Sequence, residues 1–273
     1  MGRLDLLFLG TPQVRHAGQV LVFPTRKVLA LLIYLTVSGG LHPREQLTAL
    51  LWPESAEGRA RASFRRALSL LRQVLDETPG TSHLIVEGEG LGFDLTSDCT
   101  CDLHTLQAAA QATNVRVVLS SRSLLDQFQD AATLYRGEFL GTFSLPDAPD
   151  FDDWVRGQRA FWHRRMEALF DKLAQVQEEA GALADALETA SRWRVCSPFN
   201  EQAYTRLMRL YFAAGDRGPR SRSMQTVRRC SQRNFIPCRV PKQMPWSGAS
   251  VARLPHELAR SSQCPREASH CCL

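Results

Sequence analysis

The sequence predicts a mainly α-helical protein, in which a small α+β domain precedes a longer all-α domain. Three observations predict this arrangement. β-like and turn-rich segments alternate with helical patterns as far as residue 97, whereas the pattern from Asp98 to residue 217 is mainly helical. In addition, Ala180-Gly181 and Ala214-Gly215 lie 34 residues apart, and each pair follows a helix rich in apolar residues.

The first domain begins with two short β-like segments, residues 3–9 and 20–23, which are separated by turn-rich sequence. Thr25 then stands where the N-cap of a helix is expected, and Gly39-Gly40 would end that helix. Three helical patterns follow one another, at residues 27–37, 44–51 and 57–76.

Two further β-like segments, residues 83–86 and 91–95, are joined by Glu87-Gly-Glu-Gly90 and predict a hairpin. The complete order is two strands, three helices and a hairpin, which is the order of a winged helix-turn-helix domain. We therefore assign residues 1–97 to an α+β winged-helix domain.

The second domain, residues 98–217, is predicted to be all-α. Its helical patterns cover residues 102–111, 123–135, 153–179, 182–195 and 200–214. Asp152 or Asp153 is expected to cap the longest of these helices at its N-terminus. The 34-residue period is that of tetratricopeptide-like helix pairs, although a coincidental helical hairpin would give the same single period. The predicted fold is therefore a winged helix followed by a tetratricopeptide-like helical domain.

The formal net charge of +5 comes from the end of the chain rather than from these two domains. Residues 1–100 are neutral, residues 101–217 carry −3, and residues 218–273 carry +8. The last segment loses the helical period and is rich in Arg, Ser, Pro and Cys. We expect it to be an atypical basic tail, either disordered or an out-of-frame reading of a GC-rich gene. A genuine nucleic-acid-binding tail is the alternative.

The helix at residues 57–76 carries the clearest functional signal. Five arginines and no acidic residue lie between Gly58 and Leu75. With 100° per residue and Phe64 on the buried face, the outward and flanking residues are Arg59, Ala62, Arg66, Ser69, Gln73, Arg65 and Arg72. The hydrogen-bond donors of the Arg, Ser and Gln side chains suit the phosphates and base edges of DNA. Without an anionic partner, the positive charges of the arginines would repel one another. The pattern therefore favours DNA binding over a solvated surface helix.

Basic residues at the starts of the first two helices extend this candidate interface. Lys27 and Arg44 are candidates for contacts to backbone phosphates, although each is equally compatible with a solvated surface position. The hairpin tip carries Glu87 and Glu89, whose charges would oppose close phosphate approach. The predicted DNA-binding residues are Lys27, Arg44, Arg59, Ala62, Arg65, Arg66, Ser69, Arg72 and Gln73.

Other chemistries have weaker support in the sequence. It has no Gly-Lys-Ser/Thr phosphate loop, no Gly-x-Ser-x-Gly and no His-Glu-x-x-His, so neither an enzyme nor a cofactor is expected. Cys99, Cys101 and His104 lack the second ligand pair of a zinc site, so no metal is expected. The carboxylates just before and at the start of the longest predicted helix are interpreted as a polar loop that caps it: Asp147, Asp150, Asp152 and Asp153. No apolar run of about 18 residues is present, so we expect no membrane partner and a cytoplasmic protein.

Several separated segments carry a resemblance to a known family. Segments beginning at Arg26, Arg44 and Ala60 read Arg-Lys-Val-Leu-Ala-Leu-Leu-Ile-Tyr-Leu, Arg-Glu-Gln-Leu and Ala-Arg-Ala-Ser-Phe-Arg-Arg-Ala-Leu-Ser-Leu-Leu-Arg. Segments beginning at Leu134 and Leu145 read Leu-Tyr-Arg-Gly-Glu-Phe-Leu and Leu-Pro-Asp-Ala-Pro-Asp-Phe-Asp-Asp-Trp-Val. In this order they resemble the winged-helix domain and the bacterial transcriptional activator domain of SARP-type transcriptional regulators.

The resemblance implies that the third helix enters the major groove of double-stranded DNA. It also implies activation from direct-repeat sites, where a homodimer can bind, and use of the helical domain for self-association or contact with RNA polymerase. The acidic hairpin tip departs from the family's pattern, and so does the loss of closing helices after Arg217. Two alternatives are a protein-interaction scaffold and a truncated fragment of a larger, ATPase-bearing regulator.

Overall fold

The structure, a computed structural model, describes residues 3–76, 82–112 and 122–215. The chain divides into two units, Met1–Asn234 and Phe235–Leu273, and every described residue belongs to the first. The strands are β1 (Leu4–Leu7), β2 (Gln13–His16), β3 (Gln19–Val20), β4 (His42–Pro43), β5 (Leu84–Glu87), β6 (Gly90–Phe93) and β7 (Cys99–Cys101). The helices are α1 (Arg26–Ser38), α2 (Arg44–Leu51), α3 (Glu57–Val74), α4 (Asp102–Ala112), α5 (Arg122–Leu134), α6 (Pro149–Glu179), α7 (Leu183–Cys196) and α8 (Glu201–Ala213).

A four-stranded sheet lies at the N-terminus, in the order β3-β2-β1-β7. β1 pairs antiparallel with β2, where Leu6 is opposite Val14, and parallel with β7, where Leu4 is opposite Cys99. β7 comes from the segment assigned to the helical domain. The sheet therefore joins residues of both predicted domains.

The prediction of strands at residues 3–9 and 20–23 is partly wrong. β1 forms within the first segment, but the second contributes only Val20 to β3. Between them, Gln13–His16 forms β2, for which no strand was predicted. β2 buries one apolar side chain, that of Val14, so its period-two pattern is too short to stand out in the sequence.

The three helices of the winged helix begin and end close to their predicted positions. The hydroxyl oxygen of Thr25 accepts a hydrogen bond from the Val28 backbone N–H at 3.3 Å and so caps α1. At the other end Gly39 has a φ of 63°, in the left-handed region that favours glycine. α2 covers the predicted residues 44–51, and α3 ends at Val74 instead of residue 76.

The predicted hairpin is formed by β5 and β6, and β4 joins β6 to give a second sheet in the order β4-β6-β5. A Cβ atom on Gly92 would lie 2.5 Å from the Gly40 carbonyl oxygen. Only a glycine at position 92 therefore allows β6 to lie so close to Gly40, which precedes β4. Together with α1, α2 and α3, the hairpin confirms the winged helix-turn-helix arrangement.

The N-terminus of the long helix α6 differs from its prediction. The helix begins at Pro149, which tolerates the first turn because its missing N–H has no intrahelical partner there. Neither Asp152 nor Asp153 is the N-cap, because both lie inside the helix. The Asp152 carboxylate instead accepts a hydrogen bond from the Leu145 N–H at 2.8 Å and so fixes the preceding loop.

α7 and α8 pack as an antiparallel helical hairpin around four buried side chains, Ala186, Ala190, Leu207 and Leu210. The glycines that mark the 34-residue period, Gly181 and Gly215, have φ values of 77° and 72°. Each follows a helix end in the same left-handed conformation. The repeat in the sequence thus corresponds to a structural repeat, and the tetratricopeptide-like character of the helical domain is confirmed.

One hydrophobic core runs through the winged helix and the helical domain. Leu9, just after β1, forms an antiparallel bridge with Phe139, and the Leu140 N–H donates to the Phe8 carbonyl at 2.8 Å. The Arg159 guanidinium of α6 donates to the Phe139 carbonyl at 3.1 Å and holds this segment against the helix. Packing and backbone hydrogen bonds therefore join the two domains directly.

A buried carboxylate reinforces the same junction. Asp102, the first residue of α4, is almost completely buried, and its Oδ2 accepts a hydrogen bond from the Leu9 N–H at 2.8 Å. Burial raises the pKa of Asp102, and backbone hydrogen bonds from Phe8 and Leu9 oppose that rise. Because the folded protein then holds this proton more tightly than the unfolded chain does, stability falls as pH increases through the raised pKa.

We expect Asp102→Ala to lower the free energy of unfolding by about 1–3 kcal/mol, because the buried Leu9 N–H loses its acceptor. Asp102→Asn keeps an acceptor oxygen and removes the titrating group. It should lose less stability and should flatten the fall in stability with rising pH. Urea denaturation of both variants between acid and neutral pH measures these effects. Equal losses for the two variants would contradict the assigned role.

Candidate nucleic-acid interface

α3 presents two clearly different faces. Its buried face consists of Ala60, Phe64, Ala67, Leu68 and Leu71. The side chains predicted to face outward are all exposed: Arg59, Ala62, Arg65, Arg66, Ser69, Arg72 and Gln73. The buried and exposed faces of α3 are therefore those that the helical period predicted.

The buried face holds α3 rigidly against the rest of the winged helix. The Phe64 ring packs edge-to-face on Trp52, with 6.3 Å between the ring centres. Leu68 and Leu71 are buried in the same core, as predicted for the side chains that support this helix. The exposed face is thus displayed on a fixed support.

The arginines of α3 differ in their partners. Arg61 Nη2 lies 2.6 Å from a Glu57 carboxylate oxygen and 3.2 Å from one of Glu45, so its charge is balanced within the protein. In the described ranges the structure shows no ion pair for the other four, Arg59, Arg65, Arg66 and Arg72. These four guanidinium groups are exposed and are the ones positioned to meet an external anion.

Lys27 and Arg44 lie in different surroundings from the arginines of α3. The Lys27 ammonium lies 2.7 Å from the Asp147 carboxylate and 5.2 Å from the centre of the Trp52 ring. Arg44 is half-buried, and its backbone N–H donates to the Glu89 carbonyl at 3.0 Å. Neither residue is brought into the exposed face of α3, and Arg44 lies next to the acidic hairpin tip.

The hairpin tip is exposed and acidic. Glu87 and Glu89 both face solvent, and Gly88 between them has a φ of 54°. Two carboxylates at this position would repel phosphates. Among the elements of the winged helix, α3 therefore offers the surface with the chemistry best suited to a polyanion.

Asp147 is the residue near this surface that sequence reasoning did not connect with it. It lies on the loop before α6, and it lines two crevices between that loop, the start of α1 and α3. Arg59 and Arg66 line one crevice each. No local pattern could have revealed this proximity, because Asp147 and α3 are brought together only by the packing of the two domains.

Cys99 and Cys101, which were weighed as metal ligands, lie on β7 and pack in or against the hydrophobic core. The Cys99 thiol contacts the carbonyl oxygens of Asp94 and Leu95, and burial raises the pKa of Cys101 to about 12. No group of three potential metal ligands occurs within residues 3–76, 82–112 and 122–215. In that same part of the chain, no helix combines the length and apolarity that crossing a bilayer requires.

Comparison with known proteins identifies the helical region. Residues 101–234 match the bacterial transcriptional activator domain family. The match continues past residue 217, the predicted end of the helical domain, into residues 218–273, which lie outside the described residues. No curated protein matches the chain.

The fold is similar to that of a solved regulator, Mycobacterium tuberculosis EmbR in complex with a low-affinity phosphopeptide. The two chains are 23% identical, and the TM-score is 0.64. The similarity covers 85% of this chain and 60% of the EmbR chain, so it spans less than two thirds of that chain's length. The activator-domain match at residues 101–234 and the EmbR-like fold, with a winged helix before the matched region, together support a SARP-like bacterial transcriptional regulator.

Proposed function

We propose that this protein is a sequence-specific DNA-binding transcriptional activator, with α3 lying in the major groove of double-stranded DNA. The observation that carries the proposal is the exposed face of α3. This face carries four arginines, none of which has an ion pair among the described residues. It also carries Ala62, Ser69 and Gln73. A small residue permits close approach to the groove, and hydroxyl and amide groups can reach base edges.

The helical domain is proposed to supply contacts to a second copy or to RNA polymerase. Val195 at the end of α7 and Phe199 in the following turn are 69% and 75% exposed. Large exposed apolar side chains on a folded helical hairpin support a role in protein contact. Binding of a homodimer to direct repeats would place two such surfaces on one DNA. In this proposal the protein acts in the cytoplasm and has no catalytic role.

Salt dependence of DNA binding tests the electrostatic part of the proposal. Four arginines that neutralise phosphates give a slope of log K against log salt of about −3.6 for each protomer, since each contact contributes about −0.9. Fluorescence anisotropy with a short random-sequence duplex at several salt concentrations measures this slope. A slope near zero would contradict DNA binding and leave the protein-interaction scaffold as the better account.

Sequence specificity and activation need separate measurements. Selection from a pool of random duplexes, followed by footprinting of the DNA upstream of the protein's own gene, should yield direct repeats. A reporter gene placed behind the selected sites should increase its transcription when the protein is present. A decrease would identify a repressor instead of an activator.

A further inference from the structure

The Lys27 ammonium and the Asp147 carboxylate form an ion pair between α1 and the loop before α6. Nζ lies 2.7 Å from Oδ2, and the side chains are 18% and 60% exposed. The ammonium also lies against the face of Trp52. A lysine held by a carboxylate and an aromatic ring has little freedom to turn toward another anion.

The same carboxylate lies beside the arginines of α3. Asp147 lines two neighbouring crevices with volumes of about 720 and 360 Å³. Lys27 lines both of them, Arg66 lines the larger and Arg59 lines the smaller. A negative charge carried by the helical domain therefore stands at the edge of the proposed DNA-binding surface.

We propose that Asp147 keeps Lys27 out of the DNA-binding surface, so that the helical domain limits the affinity of the winged helix for DNA. The inference rests on the proposed function, because it concerns the same interface. Each lysine that reaches a phosphate adds about 0.9 to the magnitude of the salt slope. A lysine already neutralised by a carboxylate adds nothing, and the exposed carboxylate itself repels phosphates that approach α3.

The pair is preformed because both partners are held in place. The loop that carries Asp147 is fixed by the Leu145 N–H, which donates to Asp152, and by the Ala148 N–H, which donates to the Leu145 carbonyl at 2.9 Å. A hydrogen bond from Lys27 holds the pKa of Asp147 below its usual range, so the carboxylate is ionised at neutral pH. The carboxylate is therefore fixed in position and charged beside Lys27 before any DNA approaches.

The direct test replaces the carboxylate in Asp147→Asn and Asp147→Ala and measures binding to a short random-sequence duplex across a range of salt concentrations. At about 0.1 M salt we expect both variants to bind about 5-fold more tightly than the unsubstituted protein, with a slope steeper by about 1. Asp150→Asn is the matched control. It removes the same charge from the first turn of α6, outside the residues that line the crevices, and it should change binding by less than about 2-fold.

Lys27→Met separates the release of this lysine from a general change in charge. In the Lys27→Met background, Asp147→Ala should leave the salt slope unchanged, because no lysine is released. A steeper slope in that background, equal gains in Asp147→Asn and Asp150→Asn, or no gain in either Asp147 variant overturns the inference. If the unsubstituted protein shows no salt-dependent binding, the proposed function itself fails, so the two failures are distinguishable.

Discussion

Replacing Arg59, Arg66 and Arg72 by glutamine is expected to weaken binding to a random-sequence duplex on the order of 100-fold at about 0.1 M salt. Three phosphate contacts would be lost, and the magnitude of the salt slope should fall by nearly 3. The fold should be unaffected, because all three side chains are exposed and none has an ion pair among the described residues. Anisotropy titrations give the affinity, and circular dichroism confirms that the variant is folded.

The control for this triple variant removes three exposed arginines of the helical domain, Arg156, Arg164 and Arg209. It changes the net charge by the same amount but leaves α3 intact. We expect a loss of less than about 3-fold, because charges far from the bound duplex are screened by salt. Equal losses in the two triple variants would mean that DNA responds to overall charge, and the assignment to α3 would then be wrong.

Phe64→Ala is expected to have the largest effect on stability, a loss of about 3–5 kcal/mol in the free energy of unfolding. The ring is buried beneath α3 and packs against Trp52, so its removal leaves a cavity under the helix. Urea denaturation measures the loss directly. DNA binding should decrease in proportion to the fraction of protein that unfolds, although Phe64 does not face the duplex.

Two substitutions serve as controls for this cavity. Phe64→Leu keeps most of the buried volume and should cost less than Phe64→Ala. Phe199→Ala removes the same ring from a surface position and should change stability by no more than about 0.5 kcal/mol. If Phe64→Ala and Phe199→Ala were equally mild, α3 would not depend on the core as described.

Helices could be predicted from the sequence far better than the short strands. α2 was predicted to the residue, because a proline precedes it and Trp52-Pro53 follows it. β2 and β7 were missed, since each is three or four residues long and gains its stability from pairing with β1. For β7 the partner strand is almost a hundred positions away, because Leu4 pairs with Cys99, and no local pattern indicates such a pairing. The N-cap of α6 was misplaced because Asp152 serves the preceding loop.

The candidate site, too, could be predicted from the sequence only in part. The exposed face of α3 could be predicted because a helix of known period repeats its faces every few residues. Its relation to Asp147, Lys27 and the helical domain could not, because the contact depends on how two domains pack. The sequence suggested Lys27 as a phosphate contact, whereas the structure places it in an ion pair. A charged residue near a predicted interface is thus only a candidate until its own partners are known.

The continuous core between the winged helix and the helical domain has a consequence for the layout of binding sites on DNA. Because backbone hydrogen bonds and packing join Leu9 to Phe139, α3 and the helical domain keep one orientation. When two copies bind one duplex, the relative rotation of their helical domains about the duplex axis would then be set by the distance between the two binding sites. One helical turn spans about 34–36 Å, so adding half a turn between repeats would place the two helical domains on opposite sides of the duplex. Among the described residues this junction is packed and hydrogen-bonded, so the spacing of the repeats would decide whether the copies meet.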